Sequence, residues 1–359
     1  MADPAGWGIL GTGKIARIFA KDVQDAGRTS VVAVGSRNLE RATAFAREFG
    51  AASAYGSYEA LTHDPRVHFV YVATPHTTHV QLAMEAASAG KHVLCEKPIA
   101  VDAVGAARMV AHARECGTFL MEAFAFRCHP QSHRLIQLLE AGEIGELRSV
   151  SATFGYDAGP APTNYLLRRD LAGGSILDVG CYTVALTRQL AGVPVGQPFR
   201  DATRFVGAGL LHPGHGVDLD ANAVAWFEGG FTGQLACSVR TNLDSSVLIT
   251  GTEGWIRLPT PWLPGRIGGP PRIEIHRHRG PAREIAIGDH RGLYAIEADT
   301  VVERAHEGRL EAPEMSWADS LGNMAALDCW RAELGVRYDT DPDPATLSAA
   351  DRAIGGASG

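Results

Sequence analysis

The chain has 359 residues, a formal net charge of -7, and 45% hydrophobic against 20% charged residues. That length predicts two domains with real cores, and that balance excludes long disorder. No basic cluster stands out and no apolar run approaches the ~20 residues of a membrane span, so nucleic acid and membrane are excluded as expected partners.

The opening residues Met1-Ala2-Asp3-Pro4-Ala5-Gly6 lack the basic and apolar regions of a secretion signal, and a cytoplasmic location is expected. Six cysteines, at 95, 116, 128, 181, 237 and 329, form no C-x-x-C pair and are read as reduced thiols, with no structural metal.

In chain order, Trp7 to Leu10 reads as a buried strand and 14–27 as an amphipathic helix with Ile15, Ile18, Phe19 and Val23 on one face. Val31 to Gly35 is a second strand, Leu39 to Phe49 a helix stopped by Gly50, and Ala52 to Tyr55 a short strand. Ser57 is placed to cap a helix through Leu61; Val67 to Ala73, His92 to Cys95 and Phe119 to Glu122 are further strands, with helices over 79–89 and 102–116. Continuous apolar strands alternating with helices predict a parallel sheet covered on both faces.

The pattern then changes. Helices are predicted over 130–141 and 175–191, with a strand over 147–155 between them. From 202 to 288 many short alternating strands follow without intervening helices, among them 221–227, 232–239, 246–250, 255–258, 272–276 and 283–287. The Gly/Pro-rich stretch 259–271 reads as a surface loop, 294–307 and 317–334 as helices, and the small, polar tail after Asp341 is expected to fray. The fold class is α/β. An N-terminal Rossmann domain with a doubly wound parallel sheet (1–124) precedes a C-terminal α+β domain with a mostly antiparallel open sheet (125–359).

Gly11-Thr12-Gly13-Lys14-Ile15-Ala16 follows the first strand and opens the first helix. This G-x-G-x-x-A variant of the dinucleotide fingerprint gives Gly11 the tight turn, Gly13 the close backbone approach, and Ala16 the helix–strand packing. The helix N-terminus adds free N–H groups for phosphate. Gly35-Ser36-Arg37-Asn38 ends the second strand where an NAD enzyme carries an acid. A guanidinium beside a hydroxyl suits a 2′-phosphate, so NADP(H) is expected in preference to NAD(H).

Thr74-Pro75-His76-Thr77-Thr78-His79 ends the fourth strand, at the sheet edge where ligands bind. Its H-x-x-H spacing is better explained by a threonine cap and a helix start than by a metal. His129 and His133 likewise lack a third ligand. Glu96-Lys97-Pro98 ends the fifth strand and aims a lysine at the same edge. Asp178 and Tyr182 lie four apart on an otherwise apolar helix. Either they are core polar groups bonded to backbone, or the phenol is a general acid/base and the carboxylate fixes substrate or lysine.

These motifs together resemble the Gfo/Idh/MocA family of nicotinamide-dependent oxidoreductases. The carriers are the Gly11–Ala16 turn, Ala73-Thr74-Pro75 with His79, Glu96-Lys97-Pro98, Met121-Glu122-Ala123 with Arg127 and His129-Pro130, and Leu177-Asp178-Val179-Gly180-Cys181-Tyr182. The resemblance implies cofactor contacts from Gly11, Thr12, Gly13, Lys14, Ile15, Ser36, Arg37, Thr74, Pro75, His79, Glu96 and Lys97. It implies Lys97 in the active site, Asp178 as substrate-orienting acid, and Tyr182 as proton donor and acceptor. Tyrosine at this position and Ser36-Arg37 are similar to the branch with glucose–fructose oxidoreductase, dimeric dihydrodiol dehydrogenase and NADP-linked xylose dehydrogenase.

The expected activity is therefore NADP-dependent hydride transfer at a carbinol or carbonyl carbon of a sugar, cyclic polyol or dihydrodiol. An ammonium at Lys97 would favour the phenolate of Tyr182. Tyr156, Tyr165 and Arg168 are candidate substrate contacts. Two other classes stay open: an NAD(P)-dependent glycosidase acting through transient oxidation, and a non-catalytic nucleotide-binding regulator. Intact Lys97, Asp178 and Tyr182 weigh against the regulator, and Arg37 with Tyr182 against the glycosidase. By resemblance, a homodimer or homotetramer is expected.

Overall fold

Short buried strands alternate with capped helices through the first third of the chain. The computed structural model describes residues 5–26, 29–159, 161, 164–289, 291–339 and 341. The tail after Asp341 lies outside the described residues. The elements are β1 (Gly6–Leu10), α1 (Lys14–Ala26), β2 (Ser30–Gly35), α2 (Leu39–Phe49), β3 (Ser53–Tyr55), α3 (Tyr58–Thr62), β4 (Phe69–Val72), α4 (His79–Ser88), β5 (His92–Glu96), α5 (Ala103–Cys116) and β6 (Leu120–Ala123). The caps follow local chemistry. The Asn38 side chain accepts from the Arg41 N–H at 2.9 Å, Gly50 closes α2 at φ 69°, and Ser57 accepts from Ala60 N–H at 3.2 Å.

The sheet order is β3-β2-β1-β4-β5-β6, all neighbours parallel. This is the doubly wound Rossmann arrangement predicted from sequence. Strand order reverses at β1 and β4, and the loops leaving their carboxyl ends are the ligand-binding position of such sheets. Phe19 of α1 stacks on Tyr71 of β4 at 4.0 Å and lies edge-on to Trp7 at 5.2 Å, locking helix to sheet.

Next come α6 (Ala125–Cys128), α7 (Pro130–Glu140), β7 (Leu147–Gly155), a wide π-turn (Ile176–Gly180), α8 (Cys181–Gly192), β8 (Arg204–Leu211), β9 (Asp218–Trp226), β10 (Thr232–Ser238), β11 (Val247–Gly251), β12 (Gly254–Leu258), β13 (Arg272–Arg277), β14 (Arg283–Ala286), α9 (Leu293–His306) and α10 (Trp317–Leu334). Strands β7 to β14 form one eight-stranded sheet in the order β14-β13-β12-β11-β7-β10-β9-β8. Only β7 and β10 run parallel; the other neighbours are antiparallel. α8 is buried along nearly its whole surface and forms the centre of this unit.

Three features depart from the sequence expectation. β8 falls in the strand-rich stretch expected from 202, but its bounds are not given by the sequence because its glycines hide the strand pattern. Built Cβ atoms would come within 2.7 Å of Trp330 at Gly207 and 2.5 Å of Leu334 at Gly209, so glycine lets α10 lie against the strand. The helix expected over 175–191 begins as the π-turn. Gly180 leaves room there, with a Cβ only 3.0 Å from Cys237 Sγ and 3.1 Å from Trp330. Trp262, in the stretch expected to be a surface loop, is 2% exposed, and its indole N–H donates to Thr153 O at 2.8 Å.

The compact units are residues 1–100, 105–129 and 290–320 in one, and 101–104, 130–289 and 321–359 in the other. This is not a single cut between 124 and 125. Residues 290–320 belong with the Rossmann sheet through buried polar links. Leu120 N–H donates to Leu310 O at 2.9 Å, and the Trp317 indole to Leu120 O at 3.0 Å. Arg127 pairs with Asp319 at 2.5 Å, each side chain 2% exposed, and its Nε donates to Glu314 O at 2.9 Å. Such a pair stays buried because each charge finds its partner.

Candidate active site

In the first unit, Gly11 and Gly13 answer different demands. Gly11 has φ 112°, and a Cβ there would lie 2.5 Å from Ala73 O. Its N–H donates to Gly35 O at 2.9 Å, joining the ends of β1 and β2. Around Gly13, by contrast, a Cβ would meet no described atom within 4 Å. The fold does not demand glycine there, and the clear space at the start of α1 fits the close approach of a pyrophosphate. Thr12 and Ile15 are half-buried, Lys14 is exposed, and Ala16 is fully buried against the sheet.

At the end of β2, Ser36 is buried and its hydroxyl accepts from Asn38 N–H at 3.2 Å. Arg37 is exposed at the carboxyl edge. Thr74 and Pro75 leave β4 half-buried, and a turn His76–Thr78 precedes α4. Thr78 does not cap α4 with its side chain; the hydroxyl donates to Thr74 Oγ1 and Pro75 O, each at 2.8 Å. His79 is fully buried, with Nδ1 2.9 Å from Pro98 O and Nε2 2.9 Å from Thr74 O. The ring therefore ties the loop after β4 to the loop after β5. Burial holds its pKa below the ordinary value, and the Lys97 charge acts in the same direction.

Glu96 is 6% exposed. It accepts a short hydrogen bond from the Tyr71 hydroxyl and, at 3.1 Å, the Lys97 backbone N–H. Ile99 N–H donates to the buried Glu122 at 2.9 Å. The half-buried Lys97 is thus carried on a turn whose backbone is gripped by Glu96, Glu122 and His79. Burial, then the Glu96 charge, raises Tyr71 well above the phenol range, so it stays a donor.

In the second unit, Asp178 lies in the π-turn at 5% exposure. Tyr156 donates to its Oδ2 at 2.6 Å and Tyr165 to its Oδ1 at 3.3 Å. The structure therefore brings three of the predicted residues together. Tyr182, one turn on and 7% exposed, is edge-on to Phe154 at 5.2 Å and to Trp262 at 6.0 Å. Phe154 and Trp262 stack at 5.7 Å, so the phenol ring is fixed by an aromatic wall. Arg168 is exposed and paired with Asp170 on the same turn, which engages its guanidinium.

Sequence reasoning missed Asp218, the first residue of β9, which is fully buried. Its Oδ2 accepts from the Ser175 hydroxyl at 2.7 Å and from Ile176 N–H at 2.6 Å, capping the stretch that carries Asp178 and Tyr182. Gly174 is required beneath it, with φ 114° and a built Cβ 2.2 Å from Asp218 Oδ1. No local signal marked it, since the same strand also carries Asp220 and Asn222. Phe154 and Trp262 gave none, since aromatic residues are ordinary in strands and loops.

A parallel sheet with its glycine turn at the switch point has the arrangement of a dinucleotide-binding unit. Residues 5–124 match the oxidoreductase family GFO/IDH/MocA, NAD-binding Rossmann fold, and residues 133–257 match the GFO/IDH/MocA C-terminal domain. The chain is 33% identical over 344 residues to trans-1,2-dihydrobenzene-1,2-diol dehydrogenase of Mus musculus, covering 93% of this chain and 98% of that protein. The Homo sapiens protein of the same name is 33% identical over 342 residues, with the same coverage. Among solved structures, KijD10, a 3-ketoreductase from Actinomadura kijaniata in complex with NADP and TDP-benzene, superposes with a TM-score of 0.81 at 28% identity, covering 92% of this chain and 98% of that one. An aldose-aldose oxidoreductase from Caulobacter crescentus shares the fold, with a TM-score of 0.81 at 24% identity, covering 92% and 97%. The chain belongs to the Gfo/Idh/MocA family and is an NAD(P)-dependent oxidoreductase of hydroxyl and carbonyl groups. No helix among the described residues is long and apolar enough to cross a membrane.

Proposed function

We propose that this enzyme is an NADP-preferring oxidoreductase of a small cyclic polyhydroxylated substrate, with a trans-dihydrodiol or a sugar ring as the reacting class and Tyr182 as general acid/base. The observation that carries the reading is the buried phenol of Tyr182, fixed by Phe154 and Trp262 one turn beyond an acid held by two further phenols. The ring is held by packing on a helix that also buries Thr183 and Thr187, and a fixed phenol is pre-organised to move a proton. The family relatives named trans-1,2-dihydrobenzene-1,2-diol dehydrogenase support a diol substrate.

When bound, the dinucleotide supplies the hydride acceptor or donor. Gly11 to Ile15 hold its pyrophosphate at the N-terminus of α1, and Arg37 with Ser36 faces its 2′-phosphate. Thr74 and Pro75 present the loop after β4, and His79 acts through that loop and the turn of Lys97. Lys97 supplies a positive charge that favours loss of the proton from Tyr182, and Tyr182 moves the substrate's hydroxyl proton. Asp178 accepts a substrate hydroxyl and orients it. The hydrogen bonds of Tyr156 and Tyr165 to Asp178 support their assignment as substrate contacts, and Arg168 is assigned there with them. Two or four copies associate through the open face of the eight-stranded sheet, where Val206, Leu210 and Leu248 are exposed.

A second reading, reduction of a keto group on a sugar ring, is favoured by the likeness to the 3-ketoreductase KijD10. Turnover of NADP and NAD with dihydrodiols, aldoses and cyclitols, and of NADPH and NADH with ketoses and 3-keto-sugars, separates the readings. Oxidation of a dihydrodiol with NADP supports the first reading, and turnover confined to ketone reduction supports the second. Binding without turnover of any member, in wild type, would refute both.

A further inference from the structure

The segment following α10 reaches back to the turn that leads into Asp178. Tyr338 is 3% exposed, and its hydroxyl donates to Gly173 O at 2.7 Å across 165 residues of sequence. The Arg331 guanidinium lies 4.7 Å above its ring, and Arg331 is itself held by Asp328 at 2.8 Å and Asp341 at 3.0 Å. Asp341 also accepts from Tyr338 N–H at 2.9 Å, so ring and backbone are both fixed. Beside this contact, Asp339 pairs with Arg169 at 2.9 Å on the surface.

Gly173 is the joint of the turn. Its N–H donates to Arg168 O at 3.0 Å, and a built Cβ would lie 2.4 Å from Leu166 O and 2.6 Å from Tyr165 O. On one side of it the chain carries Tyr165, whose hydroxyl reaches Asp178. On the other, Gly174 and Ser175 lead into the cap at Asp218 and then Asp178 and Tyr182. Ala172, just before it, has φ 52°, a left-handed conformation that an alanine keeps only when its surroundings impose it. The Gly173 carbonyl therefore lies between the two ends of the Tyr165–Asp178 hydrogen bond, and its displacement shifts one against the other.

We propose that Tyr338 is a positioning residue for the reaction assigned above: its hydroxyl, bonded to the Gly173 carbonyl, sets where the 164–174 turn joins the stretch bearing Asp178 and Tyr182. This rests on the proposed function for its kinetic consequence, but the anchoring itself is independent of any substrate.

Tyr338→Phe keeps the ring, its packing and the guanidinium contact, and removes one hydrogen bond. A buried bond of this kind is worth about a factor of ten in an equilibrium. Hydrogen exchange of full-length wild type and variant is expected to show the amides of 164–176 exchanging about tenfold faster in the variant, with the parallel sheet of the first unit unchanged. Kinetics with the substrate found active in wild type are expected to show kcat/KM lower by about tenfold and the dissociation constant for NADPH within about twofold. Arg169→Gln breaks only the exposed pair to Asp339 and is expected to change either readout less than about twofold.

Unchanged exchange over 164–176 in Tyr338→Phe overturns the proposal whether or not a substrate is known. Faster exchange with kcat and KM unchanged overturns the positioning role and leaves a structural bond. Arg169→Gln reproducing the Tyr338→Phe effect also overturns it, by assigning the anchor to the charge pair. Faster exchange in a protein that turns over no substrate would sustain the anchor and refute the proposed function alone.

Discussion

Asp218→Ala tests whether the catalytic stretch is held from outside its own helix. Asp218 gives the Ser175 hydroxyl and Ile176 N–H their acceptor at 2.7 and 2.6 Å. Bonds to an ionised acceptor are worth about 1.5–3 kcal/mol each, and a buried donor left unpaired costs about 1–3 kcal/mol. Cys237 Sγ donates to Ser175 Oγ at 3.3 Å, which does not replace the acceptor of the Ser175 O–H, so the loss falls on both Ser175 and Ile176. Burial of the carboxylate offsets part of the gain, and the net expectation is a loss of about 2–3 kcal/mol. The pH dependence is distinctive. Burial outweighs the hydrogen bonds and raises the Asp218 pKa above its ordinary 3.8. The folded protein then holds this proton more tightly than the unfolded chain does. The Asp218 contribution to wild-type stability falls as pH rises from about 3.8 through the folded value, by at most about 1.4 kcal/mol per unit. Alanine carries no such slope, so the destabilisation shrinks as pH rises. Urea unfolding of both proteins between about pH 4 and pH 8 measures this directly. A loss below about 0.5 kcal/mol at about pH 4, or one that grows with pH, would refute the reasoning.

Tyr182→Phe keeps the ring against Phe154 and Trp262 and removes the proton; kcat is expected to fall by about 10²–10⁴ with NADPH binding unchanged, and full activity would rule out the acid/base role. Lys97→Ala is expected to lower kcat and move the alkaline limb of the oxidation profile to higher pH, with little rescue by Lys97→Arg; an unmoved limb in both variants would remove the lysine from the proton step. Arg37→Ala is expected to weaken NADP binding about tenfold to a hundredfold, less so in high salt, while NAD is nearly untouched. Equal loss for both cofactors in that titration would leave the NADP preference without a basis.

The parallel sheet was legible because its strands are buried on both faces and read as continuous apolar runs, such as Phe69–Val72. The helices between them announced their ends in local chemistry, through Asn38, Ser57 and Gly50. The bounds of β8 were illegible for the opposite reason. Residues 204–211 carry two glycines chosen for Trp330 and Leu334, partners more than a hundred residues away, and no local pattern records them. The placement of 290–320 with the first unit is likewise written in Arg127 and Asp319, which are 192 residues apart.

The same division runs through the site. Gly11, Gly13, Ser36, Arg37 and Lys97 are fixed by where a strand ends, so a correct strand assignment brings them to one sheet edge without any knowledge of packing. Asp178 and Tyr182 were picked out as an acid and a phenol four apart, in a motif shared with the family. Nothing local shows that Asp178 occupies a π-turn capped by Asp218, 42 residues from Ile176, or that Trp262 donates to Thr153 O across 109 residues to wall in Tyr182. Precision at a reacting centre depends on such distant supports, because a side chain on a short turn has too few local bonds to hold it. The chemistry of this site is therefore readable in short motifs. Its geometry lies in single residues, Asp218, Trp262 and Tyr338, whose meaning exists only once the chain has folded.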